Sequence, residues 1–423
     1  MFHFKIFSVM KKNLFWVALA AITMASCTSD ELTIADQQQQ EANSLGLMPI
    51  NLSLTSATAS VTQTRGTGTV GSTNAATNKF KFEDIYVLMM DVTPDSTWKY
   101  TDCGGSLGEQ FNNTFFCRPQ ETATDGIYSL EYNGFTGGAG GALKYYPMHG
   151  SSDFFGYYID NAADNLTAEG NPAIAYNADE TALVLPFTIN GSQDIMAGKA
   201  TNYADTIGFS NTTARQNVVP RIDMKHMLTR FTFEIIAGDD GKDSLFIDTI
   251  SVFSKAKGIL KVAMKDTQFD YNDSTALLSL IEWDETQDSV AMVLDTLSAA
   301  TAPSFENGKP MVERCDTLFI GAEGSTYKVG DALFVQPGKT QYTLKLKVHQ
   351  LTRTGYDNVL DTPIIEEQTA EQTLAIKKAD NSAFERAKSY HIKIKVYSMR
   401  EIEIETMLEQ WEDAGEIEVD TDY

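Results

Sequence analysis

Apolar and polar residues alternate in several separate runs of the chain. Leu183, Leu185, Phe187 and Ile189 form one run, and Phe231, Phe233 and Ile235 form another. Tyr342, Leu344, Leu346 and Val348 alternate with Thr343, Lys345, Lys347 and His349. Tyr390, Ile392, Ile394 and Val396 alternate with His391, Lys393 and Lys395, while Ile402 and Ile404 sit between Glu401, Glu403 and Glu405. A period of two puts one side of each run on a dry face and the other in water, which predicts half-buried strands. The basic outer face of 391–395 and the acidic outer face of 401–405 predict a paired hairpin turning around Ser398-Met399-Arg400. No long segment carries a persuasive helical period. The expected fold class is therefore all-β, built from antiparallel sandwiches with one dry and one wet face per sheet.

The chain ahead of these runs reads differently. Lys5, Lys11 and Lys12 precede an apolar stretch from Leu14 to Ala25, followed by Ser26-Cys27-Thr28-Ser29-Asp30-Glu31. A basic start, about a dozen apolar residues and small residues before a cut describe a secretory signal. The stretch is too short to cross a bilayer core of roughly 30 Å; the alternative is a short buried helix. Residues 33–46 include Gln37 to Gln40 and few apolar groups, so they suit a flexible tether. Strand-like runs begin at Ile50. The Thr-, Asn-, Ala- and Ser-rich stretch 199–216 and Pro220 suggest a boundary. The expected organisation is a signal at 1–26, a tether at 27–46, an N-terminal β-sandwich domain at 47–215 and a C-terminal one at 216–423.

Composition narrows the function classes. Hydrophobic residues make up 43% of the 423 residues and charged ones 21%, which excludes a mostly disordered chain. Acidic residues outnumber basic ones 57 to 33, a net charge of −24, which argues against nucleic acid as a partner through a broad basic surface. Removing residues 1–26 takes away three lysines and no acid, moving the charge to −27. Four cysteines do not make a disulfide scaffold. Cys103 and Cys117 either pair in an oxidising compartment or remain thiols, with Cys315 left over.

Chemical motifs are sparse. Gly104-Gly105-Ser106-Leu107-Gly108 has the spacing of a nucleophile elbow, but a polar segment precedes it and a poor helix former follows, so it reads as a loop. Gly338-Lys339-Thr340 resembles the end of a phosphate loop, yet Leu333 stands where the first glycine belongs. The five histidines show no zinc spacing, and His349 and His391 fall on outward strand positions. Asp266, Asp270, Asn272 and Asp273 miss the EF-hand pattern and read as a solvated turn. Trp98, Tyr100, Trp283 and Trp411 suit stacking on sugars or, for most of them, core packing. Asp248-Thr249-Ile250 and four other Asp-Ser/Thr-apolar triplets resemble the O-glycosylation signal of Bacteroidota. No acid/base pair or nucleophile stands out, so no enzyme activity and no cofactor are expected.

Several short segments carry a family resemblance. Met24-Ala25-Ser26-Cys27 resembles a bacterial lipobox with Met24 in place of the usual Leu, and Ser29-Asp30-Glu31 resembles the surface-export signal of Bacteroidota lipoproteins. Tyr145-Tyr146-Pro147, then Asp153-Phe154-Phe155-Gly156-Tyr157-Tyr158, resemble the middle of the first domain of fimbrillin-like proteins; Asp194-Ile195-Met196-Ala197-Gly198 is similar to the segment that closes that domain, and Met224 to Phe231 resembles the strand that follows. Gln336-Pro337 and the run from Tyr390 towards Trp411 resemble the C-terminal half. The resemblance covers most of 47–415. It implies a type V pilin-like lipoprotein with two transthyretin-like antiparallel β-sandwich domains, acting in fimbrial assembly and adhesion as a structural or tip subunit. It further implies a lipid on Cys27 holding the protein to the outer membrane at the cell surface or in a fimbrium. Proteolytic cutting would fall after an arginine near the first strand, for which Arg65 is the matching residue, and β-strand addition would join other fimbrial subunits. A surface arginine in a Gly/Thr loop is the other reading of Arg65. The competing function class is a lipid-anchored cell-surface binding protein with a host or glycan ligand.

Overall fold

The computed structural model describes residues 46–56, 85–92, 99–100, 115–119, 127–132, 145–159, 174–202, 208–238, 244–265, 269–294, 318–320, 324–359 and 362–409. Cys27, Arg65, Cys103, Cys315, Trp98, Trp411, Asp266 and the loop at 104–108 lie outside them. In chain order the first elements are β1 (Leu52–Ser56), β2 (Ile85–Asp91), β3 (Lys99–Tyr100), β4 (Phe115–Pro119), β5 (Ile127–Tyr132), β6 (Ser152–Ile159), β7 (Ala175–Tyr176), β8 (Ala182–Thr188) and β9 (Ile195–Ala200). The helix α1 (Asn211–Arg215), β10 (Arg221–His226), β11 (Thr229–Ala237), β12 (Ser244–Ser254), β13 (Lys257–Met264), the helix α2 (Ser274–Leu278), β14 (Ile281–Trp283) and β15 (Val290–Val293) follow. The chain continues through β16 (Leu318–Ile320), β17 (Thr326–Val335), β18 (Gln341–Asp357), β19 (Thr362–Lys377), β20 (Ser389–Val396) and β21 (Ile402–Glu409). The fold is all-β, as the alternation predicts, and every alternating run falls on a strand, with only Ile189 and Glu401 lying one residue outside β8 and β21.

Seven strands close a ring. β2 pairs with β4, β4 with β5, β5 with β1, β1 with β10, β10 with β9, β9 with β6, and β6 returns to β2. A sheet closed on itself has no free edge. Its inside is apolar: Ile50, Leu52, Leu54, Val87, Met89, Leu130, Phe154, Tyr158, Met196, Ile222 and Met224 form one cluster, with Tyr146 and Phe209 against them. Phe155, Tyr157, Leu88 and Met90 point the other way and join the larger core. All eight residues of β6 are buried, since both faces of that strand are covered.

A four-stranded sheet, β14-β13-β8-β7, packs on the ring through β13 and β6. Among the described residues β7 pairs only with Leu183 and Val184, so no described strand faces the missing N–H of Pro186 on that side. The remaining sheets, β17-β11-β20-β21 and β15-β12-β18-β19 with β16 beside β12, make a sandwich. Phe231 on β11 meets Tyr342 on β18 edge-on at 5.1 Å, and Phe384 at 5.2 Å, in its centre. β10, β13 and β14 all follow residue 215, yet they pair with β1 and β9, with β8, and with β13. Strand pairing thus runs across the expected boundary between 215 and 216. Two ladders are parallel, β1 with β10 and β11 with β20, where antiparallel pairing is expected throughout. Each joins strands far apart in sequence, which leaves enough chain for a crossover.

Local chemistry sets the turns. Asp179, Asp284 and Asp380 each accept from the hydroxyl and the backbone N–H two residues on, at Thr181, Thr286 and Ser382. Those bonds favour the ionised carboxyl and hold all three below the usual carboxylate range. Asp273, in the Asp/Asn-rich segment, caps α2 by accepting from Thr275 N, and Asp270 accepts from Asn272 N. The expected hairpin forms, with Lys393 opposite Glu405 and Lys395 opposite Glu403.

Candidate functional site

The residues that matter for strand exchange centre on β1. Ile50, Leu52 and Leu54 alternate with Asn51 and Ser53, and the three apolar side chains are 0%, 3% and 1% exposed inside the ring. On one side β1 pairs antiparallel with β5, Leu52 opposite Leu130. On the other it runs parallel to β10, Leu54 opposite Ile222. Ser53 donates from N and Oγ to Pro220 O at 3.0 and 3.2 Å. Just ahead of the strand, Tyr146 N donates to Met48 O and Met48 N to the Asn211 carboxamide oxygen. β1 is therefore one stave of a closed ring, and without it β5 and β10 would present two bare edges.

Glycine shapes the floor beside it. Gly156 and Gly198 face each other across β6 and β9. A Cβ on Gly198 would lie 2.2 Å from Asp223 O, so that position admits no side chain without moving β10. A Cβ on Gly156 would press on Ile222 and Met224, which line the ring next to Leu54.

A buried polar node ties this region to the second sandwich. Asp194 Oδ2 lies 2.7 Å from His226 Nδ1, and Asp194 Oδ1 accepts from Ile195 N at 2.8 Å. Arg386 donates to His226 O, and burial lowers its guanidinium to about 10. Asp194 and His226 belong to two of the segments that carry the family resemblance, which the fold brings side by side. Asp194→Ala is expected to cost about 1–3 kcal/mol, because it strips an acceptor from a buried partner. A denaturant titration in which the midpoint stays at the wild-type value would contradict this.

Two histidines differ from their expected setting. His349 does lie on the strand face opposite Leu344, Leu346 and Val348, but it is 6% exposed. Phe246 stacks on its ring at 4.6 Å, and Asp248 Oδ1 reaches its Nδ1 at 2.5 Å. Asp248 gets there because β12 shifts register between Ile247 and Thr249, a bulge that alternation does not reveal. The same contact commits the Asp248-Thr249-Ile250 triplet to the sheet. His391 is half-buried and reaches Thr232 Oγ1 and Glu234 Oε2. Trp283 packs edge-on against Phe187 at 5.4 Å, a core contact. Among the described residues no group of three His, Cys, Asp or Glu gathers as a metal site.

No protein-family profile matches the chain, and no curated protein matches it. Among solved structures it is similar to a candidate cell adhesion protein from Bacteroides uniformis, at 15% identity and a TM-score of 0.40, covering 86% of this chain and 98% of that one. It is also similar to a fimbrial assembly protein from Parabacteroides distasonis, at 12% identity and a TM-score of 0.33, covering 86% and 99%. A third is the tip fimbrial protein Mfa3 from Porphyromonas gingivalis, at 9% identity and a TM-score of 0.30, covering 86% and 99%. These three are described as a cell adhesion protein, a fimbrial assembly protein and a tip fimbrial protein.

Proposed function

We propose that this chain is a fimbrillin-like surface lipoprotein, a structural or tip subunit of a fimbria assembled by strand donation. The observation that carries the reading is the place of β1. An N-terminal strand forms one stave of a closed ring, with its apolar side chains buried inside. Arg65 stands between β1 and β2 in the sequence. A cut there leaves β1 held by hydrogen bonds and packing alone. Once it leaves, β5 and β10 carry unpaired backbone groups over three empty apolar pockets, an arrangement that a strand from a neighbouring subunit satisfies. The role requires no catalysis.

Electron microscopy of cells carrying a tagged copy tests the reading. Label along filaments or at their tips is the expected result, and label scattered over a filament-free surface would contradict it. Anchoring is tested separately. Cys27→Ser is expected to release the protein from the membrane fraction or to leave the precursor uncleaved. Unchanged fractionation with an unchanged mature N-terminus would remove the lipid from the account.

A further inference from the structure

The second sandwich leaves one side open, between the edges of its two sheets. β21 ends one sheet and β19 the other, and among the described residues each pairs with a single neighbour, β20 and β18. The two edge strands meet across the core, and Gln372 Nε2 on β19 donates at 2.7 Å to Met399 O, just ahead of β21. This side is only partly covered. Ala370, Leu374, Met399, Ile402 and Ile404 pack against the core yet stay half-buried. Further along β21, Thr406 Oγ1 is buried with no hydrogen-bond partner among the described residues, and Met407 and Leu408 are 44% and 66% exposed. Glu403 and Glu405 alternate with the half-buried isoleucines and stand on the solvent face.

We propose that the free edge of β21 takes up an extended segment of another protein chain, one with lysine or arginine at every second position and apolar residues between. β20 shows the complement on the other edge. There Lys393 stands opposite Glu405 and Lys395 opposite Glu403, while Ile394 and Val396 face Ile404 and Ile402. A strand added on the free edge meets the same row of side chains from the opposite side. Its backbone pairs with N–H and C=O groups of β21 that no described strand uses. Its basic residues lie against Glu403 and Glu405, and its apolar ones cover Ile402, Ile404 and Leu408. Charge decides between occupants. The β21 of a second copy, run antiparallel, sets these glutamates against glutamates, and like charges directly opposite are destabilising. The acids therefore reject a like strand and select a basic one. This docking goes beyond the exchange at β1, since it uses a different sheet and needs no cut at Arg65.

Fluorescence anisotropy with a labelled peptide of the β20 sequence, residues 389–396, tests the edge on the uncut full chain, whose ring keeps its own β1. The expected result is saturable binding that weakens as salt is raised. The same peptide carrying Lys393→Glu and Lys395→Glu is expected not to bind. Equal binding of the two peptides, or no saturable binding of the basic one, overturns the proposal. Glu403→Gln with Glu405→Gln in the full chain, checked for wild-type circular dichroism, is expected to lower the affinity roughly five-fold or more. An unchanged affinity in that variant overturns the proposal as well. A photoreactive group on the basic peptide locates the contact: attachment within 402–409 is expected, and attachment only elsewhere contradicts docking on β21.

Discussion

Replacing Leu52 and Leu54 together by alanine is expected to bring the ring to the edge of unfolding. Both side chains are buried inside it, and each leucine truncated in a core costs about 2–5 kcal/mol. Together they approach the whole stability of an ordinary domain, about 5–15 kcal/mol. The loss is specific to one stave, which gives the variant a distinctive rescue. A peptide with the wild-type sequence of residues 48–56 fits the slot between β5 and β10 and is expected to raise the melting temperature in proportion to its concentration. The same peptide is expected to do little to the intact wild-type chain, whose own β1 fills the place. A double variant that melts like wild type would show that β1 contributes little to the ring. A destabilised variant indifferent to the peptide would show that the slot closes when weakened.

Much of the second sandwich was legible as a period of two. β11, β18 and β20 each bury one set of alternate residues, because each covers a core with one face only. β8 follows the same rule, and β21 half-buries the alternate Ile402, Ile404 and Thr406. β6 and β9 escape it, since the ring covers one face and the neighbouring sheet the other, so both read as apolar or small-residue runs broken only by Asp153 and Lys199. Their segments were visible only as family resemblance. Lys199 interrupts β9 with a charge in a fully buried strand, and that mismatch was the available signal for its pairing with Asp153. Closure of the ring was not legible at all. It depends on β10 returning to β1 and on β6 returning to β2, pairings between distant segments that local pattern does not encode. His349 illustrates a smaller gap: the period put it on the correct face, but a bulge in β12 delivered the aspartate that covers it.

Arginine at position 65 is expected to act as the trigger for assembly. Low-dose digestion with a trypsin-like protease is expected to cut there early and to convert soluble chain into a ladder of oligomers. While β1 is in place the ring has no edge to offer, so the uncut chain stays monomeric. The C-terminal Glu416-Ile417-Glu418-Val419 alternates as a donor strand should, although it lies outside the described residues. Arg65→Ala removes the trigger and leaves the ring intact, so it is expected to remain a monomer under the same treatment. Ladders from the Arg65→Ala chain would place the trigger elsewhere.

Strand donation is tested most directly by light scattering on a sizing column, run on the full chain before and after the protease. The account predicts that cut protein, having lost the segment containing Ile50, Leu52 and Leu54, elutes at integer multiples of the monomer mass. Cut protein that has released that segment and still elutes as a monomer would contradict it.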